Sequence, residues 1–395
     1  MSETQKHTKP NVPNLRFPGF EGEWESWRLS DIAEYRKERT ATSRLTVETY
    51  VSTENMLPDY QGVIPATNIP AGGNVSAFYP GDVLLSNIRP YLKKVWQANF
   101  IGGCSTDVMV IKSKKYVFDK FLYYIIANDS FINYAMSGAK GVKMPRGDKE
   151  QLMKYELATP SIDEQKRIAA LLSLIDQRIA IQNKLIEDCT ALEKEIQNQV
   201  FNQIDAPLVP LSSISQRITE RNTTLESNNV LTISAREGLV SQLDFFNKSV
   251  ASENLSNYLL LHKGDFAYNK SYSSDYPWGA IKHLERYDTG VLSPLYFCFR
   301  PDKERVDTRY LQFFFDTKLW HKHIAEIAVE GARNHGLLNM AVGDFYTMPI
   351  LLPTMKEQQA IADKLSAFRQ KRTTEESIYR FLLLLKQYLL NNLFV

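Results

Sequence analysis

The chain has 395 residues, 44% apolar and 23% charged, which is long enough for two or more hydrophobic cores and excludes a disordered composition. Its net charge of +2 excludes neither nucleic acid nor protein as a partner, so a DNA reader with these totals must cluster its cations locally. Three dispersed cysteines (Cys104, Cys189, Cys298) fit a reducing cytoplasm, and the most apolar window, FLLLLKQYLL at 381–390, is too short and too interrupted by Lys386 to span a bilayer.

Residues 1–13 are polar, contain two prolines and are expected to be disordered. WRLSDIAEY (27–35) opens the folded region. From 45 to 112, short segments punctuated by Pro and Gly, such as FYPGDVLLSNIRP and VMVIK, predict strands. VFDKFLYYIIANDSFINYAM (117–136) predicts one helix, and a glycine- and lysine-bearing segment follows at 137–152. Residues 161–203 contain neither Pro nor Gly, and Ile168, Leu172, Ile175, Ile179 and Ile186 recur at three- and four-residue steps. That pattern predicts a long amphipathic helix of about 60 Å.

After DAPLVP (205–210) the same programme returns. VPLSSIS (209–215) matches WRLSDIA, and Gly264-Asp265 matches Gly81-Asp82. RYLQFFFDTKLWHKHIAEIA (309–328) matches the helix at 117–136, and EGARNHGLL (330–338) matches SGAKGVKMP. A second long segment without Pro or Gly occupies 354–394, with an apolar stripe of Ile361, Leu365, Phe368, Ile378, Phe381, Leu385 and Leu389. Residues 157–201 and 350–394 align without a gap, sharing 11 identities in 45 positions. This is a tandem duplication, with a period far too long for a solenoid.

Each copy enters its long helix the same way, with Pro160 or Pro353 ahead of Ser161-x-x-Glu164 or Thr354-x-x-Glu357. This is a capping box: the hydroxyl accepts from a first-turn N–H, and the glutamate returns to the cap N–H. Gln165 and Gln358 are not needed for capping; they are candidates for bonding to the preceding domain or for docking a partner, with a solvated surface role as the plainer reading. Each stripe is too long for a small domain to cover. The two helices are therefore expected to pack on each other, antiparallel, and hold two related domains apart with pseudo-twofold symmetry.

LRFPGFEGEWESWRLSDIA (15–33), the Gly-Asp strand turn, the Gly-x-Lys/Arg segment and the P-[ST]-x-x-EQ-x-x-I-A helix start, most of them used twice, resemble the specificity subunit of bacterial type I restriction–modification systems. The resemblance spans essentially the whole chain. It implies an α+β fold: target recognition domains at 14–159 and 206–352, a spacer helix at 160–205 and a C-terminal spacer helix at 353–395. Each domain would read one half of a bipartite double-stranded DNA target. The paired, coiled-coil-like helices would set the gap and dock two modification subunits, which bind S-adenosylmethionine and methylate adenine. Motor-nuclease restriction subunits would join them. The chain itself would be non-catalytic, without cofactor, in the cytoplasm and away from membranes. The alternatives are a helical adaptor that reads no DNA and an autonomous restriction enzyme.

Candidate DNA contacts follow from chemistry, since base edges need Arg, Lys, Asn or Gln at groove-facing loops and phosphates need placed cations. In the first half these are Asn87, Arg89, Lys93 and Lys94, interleaved with aromatics, and Lys140, Lys143, Arg146 and Lys149 among glycines. In the second half they are Asn269 and Lys270, near Tyr272 and Trp278, and Arg333, Asn334 and His335. A solvated loop or strand-end packing is the plainer reading of each, and for Trp278 a core position. His321 and His323 stand two apart on a predicted helix and face different ways, so no metal site is expected. The chain has no Pro-Pro dipeptide of a base-flipping methyltransferase motif, no Walker-type loop and no zinc-spaced His/Cys cluster. Asp82 and Asp265 follow glycine at equivalent turns and are expected to be structural.

Overall fold

The computed structural model describes residues 11–141, 143–234, 237–246, 254–328 and 336–395. It divides into two compact units, Met1–Asn183 with Ser377–Val395, and Lys184–Glu376.

In the first unit, strand Glu25–Arg28 pairs antiparallel with Glu156–Thr159, Trp27 opposite Leu157, which ties the start of the lobe to the residues entering the long helix. A four-stranded antiparallel sheet follows the order Ala33–Tyr35, Val108–Ser113, Val83–Ser86, Val95–Gln97. Its strands read as continuous apolar runs because both faces are covered. Val83, Leu85, Met109 and Ile111 point into a core with Phe121 and Ile125, while Leu84, Val108 and Val110 point into a second core with Phe78 and Cys104. The second core lies against a further sheet, ordered Arg39–Ala41, Asn74–Phe78, Gly102–Cys104, Tyr50–Val51.

The second unit uses the same scheme. Leu208–Pro210 pairs with Pro349–Leu351, Val209 opposite Ile350. Its four-stranded sheet runs Ser215–Arg217, Phe297–Pro301, Phe266–Asn269, Ala280–His283. Phe266, Tyr268, Phe297 and Phe299 enter one core, and Ala267, Ala280 and Cys298 the other. The units differ in the outer layer, where the second has two antiparallel strand pairs, Leu231–Ser234 with Gly238–Ser241 and Leu259–His262 with Thr289–Leu292.

Where one helix was expected at 117–136, there are two, Asp119–Ile126 and Asp129–Ser137. Asn128 breaks them, its side chain accepting from the Ser130 N–H at 2.9 Å as the cap of the second. The counterpart likewise splits into Thr308–Phe315 and His321–Ile327. At the N-terminus, residues 1–10 lie outside the described residues. Asn11, expected in the disordered stretch, accepts from the Trp24 N–H at 2.8 Å, and Pro13 is buried.

The long helices are Ile162–Gln203 and Met355–Asn392. In the first unit, Ile168, Ala169 and Leu172 share the lobe core with Leu390 and Leu393, and Phe394 stacks on Phe121 at 5.1 Å. In the second, Ala362 and Leu365 share a core with Phe201, which packs against Phe314 at 6.0 Å. Both sets of contacts run in opposite chain directions, so within each unit the helix segments are antiparallel. An ion pair crosses each pair of segments. Asp176 meets Lys386 at 2.7 Å in the first unit, and Arg369 meets Glu193 at 3.4 Å in the second. Asp176 aligns with Arg369 and Lys386 with Glu193, so the same contact recurs with its charges inverted.

The apolar stripe departs from expectation at its distal end: Phe381 is largely exposed and Leu382 and Leu390 are buried, one position round the helix. Among the described residues no helix is long and apolar enough to cross a membrane.

Candidate nucleic-acid interface

Each lobe fixes its Gly-Asp turn with an arginine paired to a buried aspartate. Gly81 and Gly264 take φ of +95° and +97°, a region open to glycine without strain. The aspartate that follows then accepts from the N–H three residues earlier, Tyr79 to Asp82 and His262 to Asp265, both at 2.8 Å. Arg36 grips Asp82 through two bonds of 2.5 and 2.6 Å, and Arg300 grips Asp265 through two of 2.8 Å. Hydrogen bonding to these carboxylates raises both guanidinium pKa values. The turn is common to the two lobes, but its cation comes from different strands, which sequence matching alone does not find.

The turn begins the strand that leads to the first set of candidates. Just past its end, Asn87 accepts from the Gly147 N–H at 3.1 Å through its carbonyl, and the Arg89 N–H donates to Pro145 at 2.8 Å. Lys140 and Arg146 exchange two backbone bonds of 2.9 Å, closing a five-residue loop that Gly141, at φ +97°, allows to turn. The structure therefore brings 86–94 and 138–149 together. The second lobe does the same: Leu338 N–H donates to Lys270 at 2.9 Å and Tyr272 N–H to Gly336 at 3.0 Å. Arg333, Asn334 and His335 lie outside the described residues.

The individual candidates divide by what already holds them. Lys94 donates to the Thr53 carbonyl at 2.6 Å and is part of the packing. Lys93 pairs with Asp129 at 2.7 Å, and Lys270 lies over the Phe297 ring at 4.7 Å. The Asn269 Oδ1 accepts from the Ser271 N–H at 3.0 Å. Lys140 pairs with Asp148 at 2.9 Å, an exposed contact that raises the lysine pKa and lowers that of the carboxyl. Arg146 reaches Asp107 at 3.4 Å. Arg89, Lys143 and Lys149 are exposed and make no side-chain hydrogen bond or ion pair among the described residues. Asn87 is half-buried, and its Oδ1 is enclosed without a hydrogen-bond partner among the described residues. Trp278 packs partly against the second lobe's core.

The helix entrances correct two expectations. Gln165 and Gln358 are not free to dock a partner: each is 1% exposed. The Gln165 Oε1 accepts from Phe118 N–H at 2.8 Å, and its Nε2 donates to the carbonyls of Pro160 and Tyr116. Gln358 repeats this with Asp307 N–H at 2.9 Å and the carbonyls of Pro353 and Arg305. These amides join each long helix to the lobe before it. The capping box is complete only in the second copy, where Glu357 accepts from Thr354 N–H at 2.9 Å. In the first, both Glu164 oxygens bind the Arg16 guanidinium at 2.9 Å, with Ser161 accepting from Glu164 N–H at a long 3.4 Å. Arg16 sits in the RFPGF stretch, which the second half does not repeat.

Burial pushes the Cys104 thiol up to about 12 and raises that of Cys298. Burial opposes the charge on Asp316, but Lys282 and Arg369, at 2.6 and 2.8 Å, outweigh it and hold the carboxyl below its ordinary range.

Residues 21–191 match the family model of the type I restriction modification DNA specificity domain. Over 173 residues the chain is 26% identical to the type I restriction enzyme EcoDI specificity subunit of Escherichia coli, covering 42% of this chain and 37% of that protein. The match thus spans little more than a third of that relative's length. The type I restriction–modification S subunit of M. genitalium superposes over 97% of this chain and 99% of its own, with a TM-score of 0.60 and 15% identity. A chain from a structural study of complex assembly and conformational transition in the type I R-M system covers 96% and 98%, with a TM-score of 0.54 and 17% identity. At such identities the structural likeness is one of fold. The matched domain, the curated relative and the shared fold together indicate a type I restriction–modification specificity subunit.

Proposed function

We propose that this chain is the DNA-recognition subunit of a type I restriction–modification complex, each lobe reading one half of a bipartite duplex target. The observation that carries the proposal is the recurrence, in both lobes, of two adjoining loop segments beyond a shared sheet, one of them with exposed Arg89 and Lys143. Lys143, Arg146 and Lys149 would meet phosphates, and exposed Arg89 would meet base edges. The long helices are the spacer, and the lobes with their helices form an internal repeat with pseudo-twofold symmetry. In the first unit, Leu174 and Ile181 on one helix and Phe381, Leu384 and Tyr388 on the other leave apolar side chains exposed at helical spacing. These faces suit docking of the modification subunits, where S-adenosylmethionine and the methylation of adenine belong. Restriction subunits complete the assembly in the cytoplasm. This chain contributes recognition and no catalysis.

Selection from a random duplex library by the chain with its modification subunits tests the reading. Two separated half-sites should be enriched. Arg89→Ala should weaken discrimination about tenfold in one half only, and substitutions at 333–335 in the other half only. An adaptor that reads no DNA would enrich no sequence.

A further inference from the structure

We propose that Met144 and Leu337 recognise thymine, each by packing its side chain on the C5-methyl group of a base in its own half-site. This deepens the DNA-reading function above and rests on it. Met144 is 50% exposed and Leu337 43% exposed, although both are large apolar side chains in loops that the backbone holds in place. They occupy the same position of the repeat, 193 residues apart, the offset that also carries Pro160 onto Pro353. Each stands beside a residue bonded to the adjoining segment: Pro145 accepts from Arg89, while Gly336 and Leu338 bond Tyr272 and Lys270. One exposed apolar residue is ordinary; here two recur at equivalent loop positions of lobes whose outer layers differ.

The surroundings choose the ligand. Met144 is flanked by the exposed cations Lys143, Lys140 and Arg146, and Leu337 stands close in chain and pairing to Lys270. A complementary surface must therefore carry anions with an apolar group recessed between them. In the major groove of duplex DNA, phosphates flank the base edges, and the one apolar group on those edges is the thymine methyl. Cations then set the position of the loop, and the apolar tip contributes sequence information that hydrogen bonding does not.

The test compares random duplex libraries made with thymine and with uracil, which lacks only that methyl, using the full chain with its modification subunits. The wild type should prefer thymine at one position in each half-site, and uracil there should cost about fourfold in enrichment, the worth of one buried methyl group. Met144→Ala should abolish that thymine–uracil difference in one half and leave the other intact; Leu337→Ala should do the reverse. Both side chains are exposed, so unchanged thermal unfolding should accompany the loss. Half-sites enriched equally with uracil and thymine would overturn the inference while leaving DNA reading in place, as would a difference that survives both variants. Enrichment of no sequence at all would overturn DNA reading and this inference with it.

Discussion

Gln165 and Gln358 show how much one side chain fixes in this molecule. A buried amide has one acceptor and one two-proton donor to satisfy, and each of these satisfies all three with backbone groups of the lobe and of the helix entrance. Gln165→Ala would leave the Phe118 N–H and two carbonyls without these bonds, and should destabilise the first unit by about 2–4 kcal/mol in denaturant unfolding. Gln358→Ala should do the same to the second. A loss below about 0.5 kcal/mol would mean that these bonds do not hold the joint. From sequence, the glutamines were conspicuous through their repetition, but their role was not, because a glutamine after a capping box looks identical whether it points inward or outward. Glu164 was misleading for a related reason: its partner, Arg16, lies 148 residues away. Asp82 and Asp265 were legible because the preceding glycine announces the turn.

At the scale of the element, the two long helices were the clearest feature, since absence of Pro and Gly over some forty residues and an apolar period leave little else to form. The split of the preceding helix was missed although Asn128-Asp129 is a capping signal, because the apolar period runs on through it. The inverted ion pairs needed the antiparallel register and so could not be found from one strand of sequence. They have a consequence for pairing. If either half of the chain paired with a second copy of itself in this register, Asp176 would face Glu193, or Arg369 would face Lys386; only unlike halves bring opposite charges together. Asp176 and Lys386 are 28% and 14% exposed, so the pair is partly shielded from water. Asp176→Lys should therefore destabilise the first unit by about 2 kcal/mol, and adding Lys386→Asp should recover about 1 kcal/mol of it in a double-mutant cycle. Additive losses would show that the two side chains do not interact.

For the whole molecule, the duplication was legible in the order of weak motifs, none of them specific alone. The sheet order common to both units is its structural counterpart. The outer layers were not legible, because they differ between the units and have no second copy to be read against. That contrast suits the proposed function: the frame is constrained by the helix joint and the Gly-Asp turn, whereas a loop proposed to meet DNA would answer only to its target. The proposed ruler follows from the same division. Helix length should set the distance between half-sites and leave their identity alone.

The most direct measurement is a genome-wide map of methylated adenine in cells carrying the chain and its modification subunits, with and without four residues inserted in each long helix, the first insertion falling within 176–190. The insertion adds about 6 Å of helix, close to two base pairs. If the helices are the spacer, the same two half-sites should appear with a gap about two base pairs longer. An unchanged gap, or altered half-sites, would contradict the spacer role.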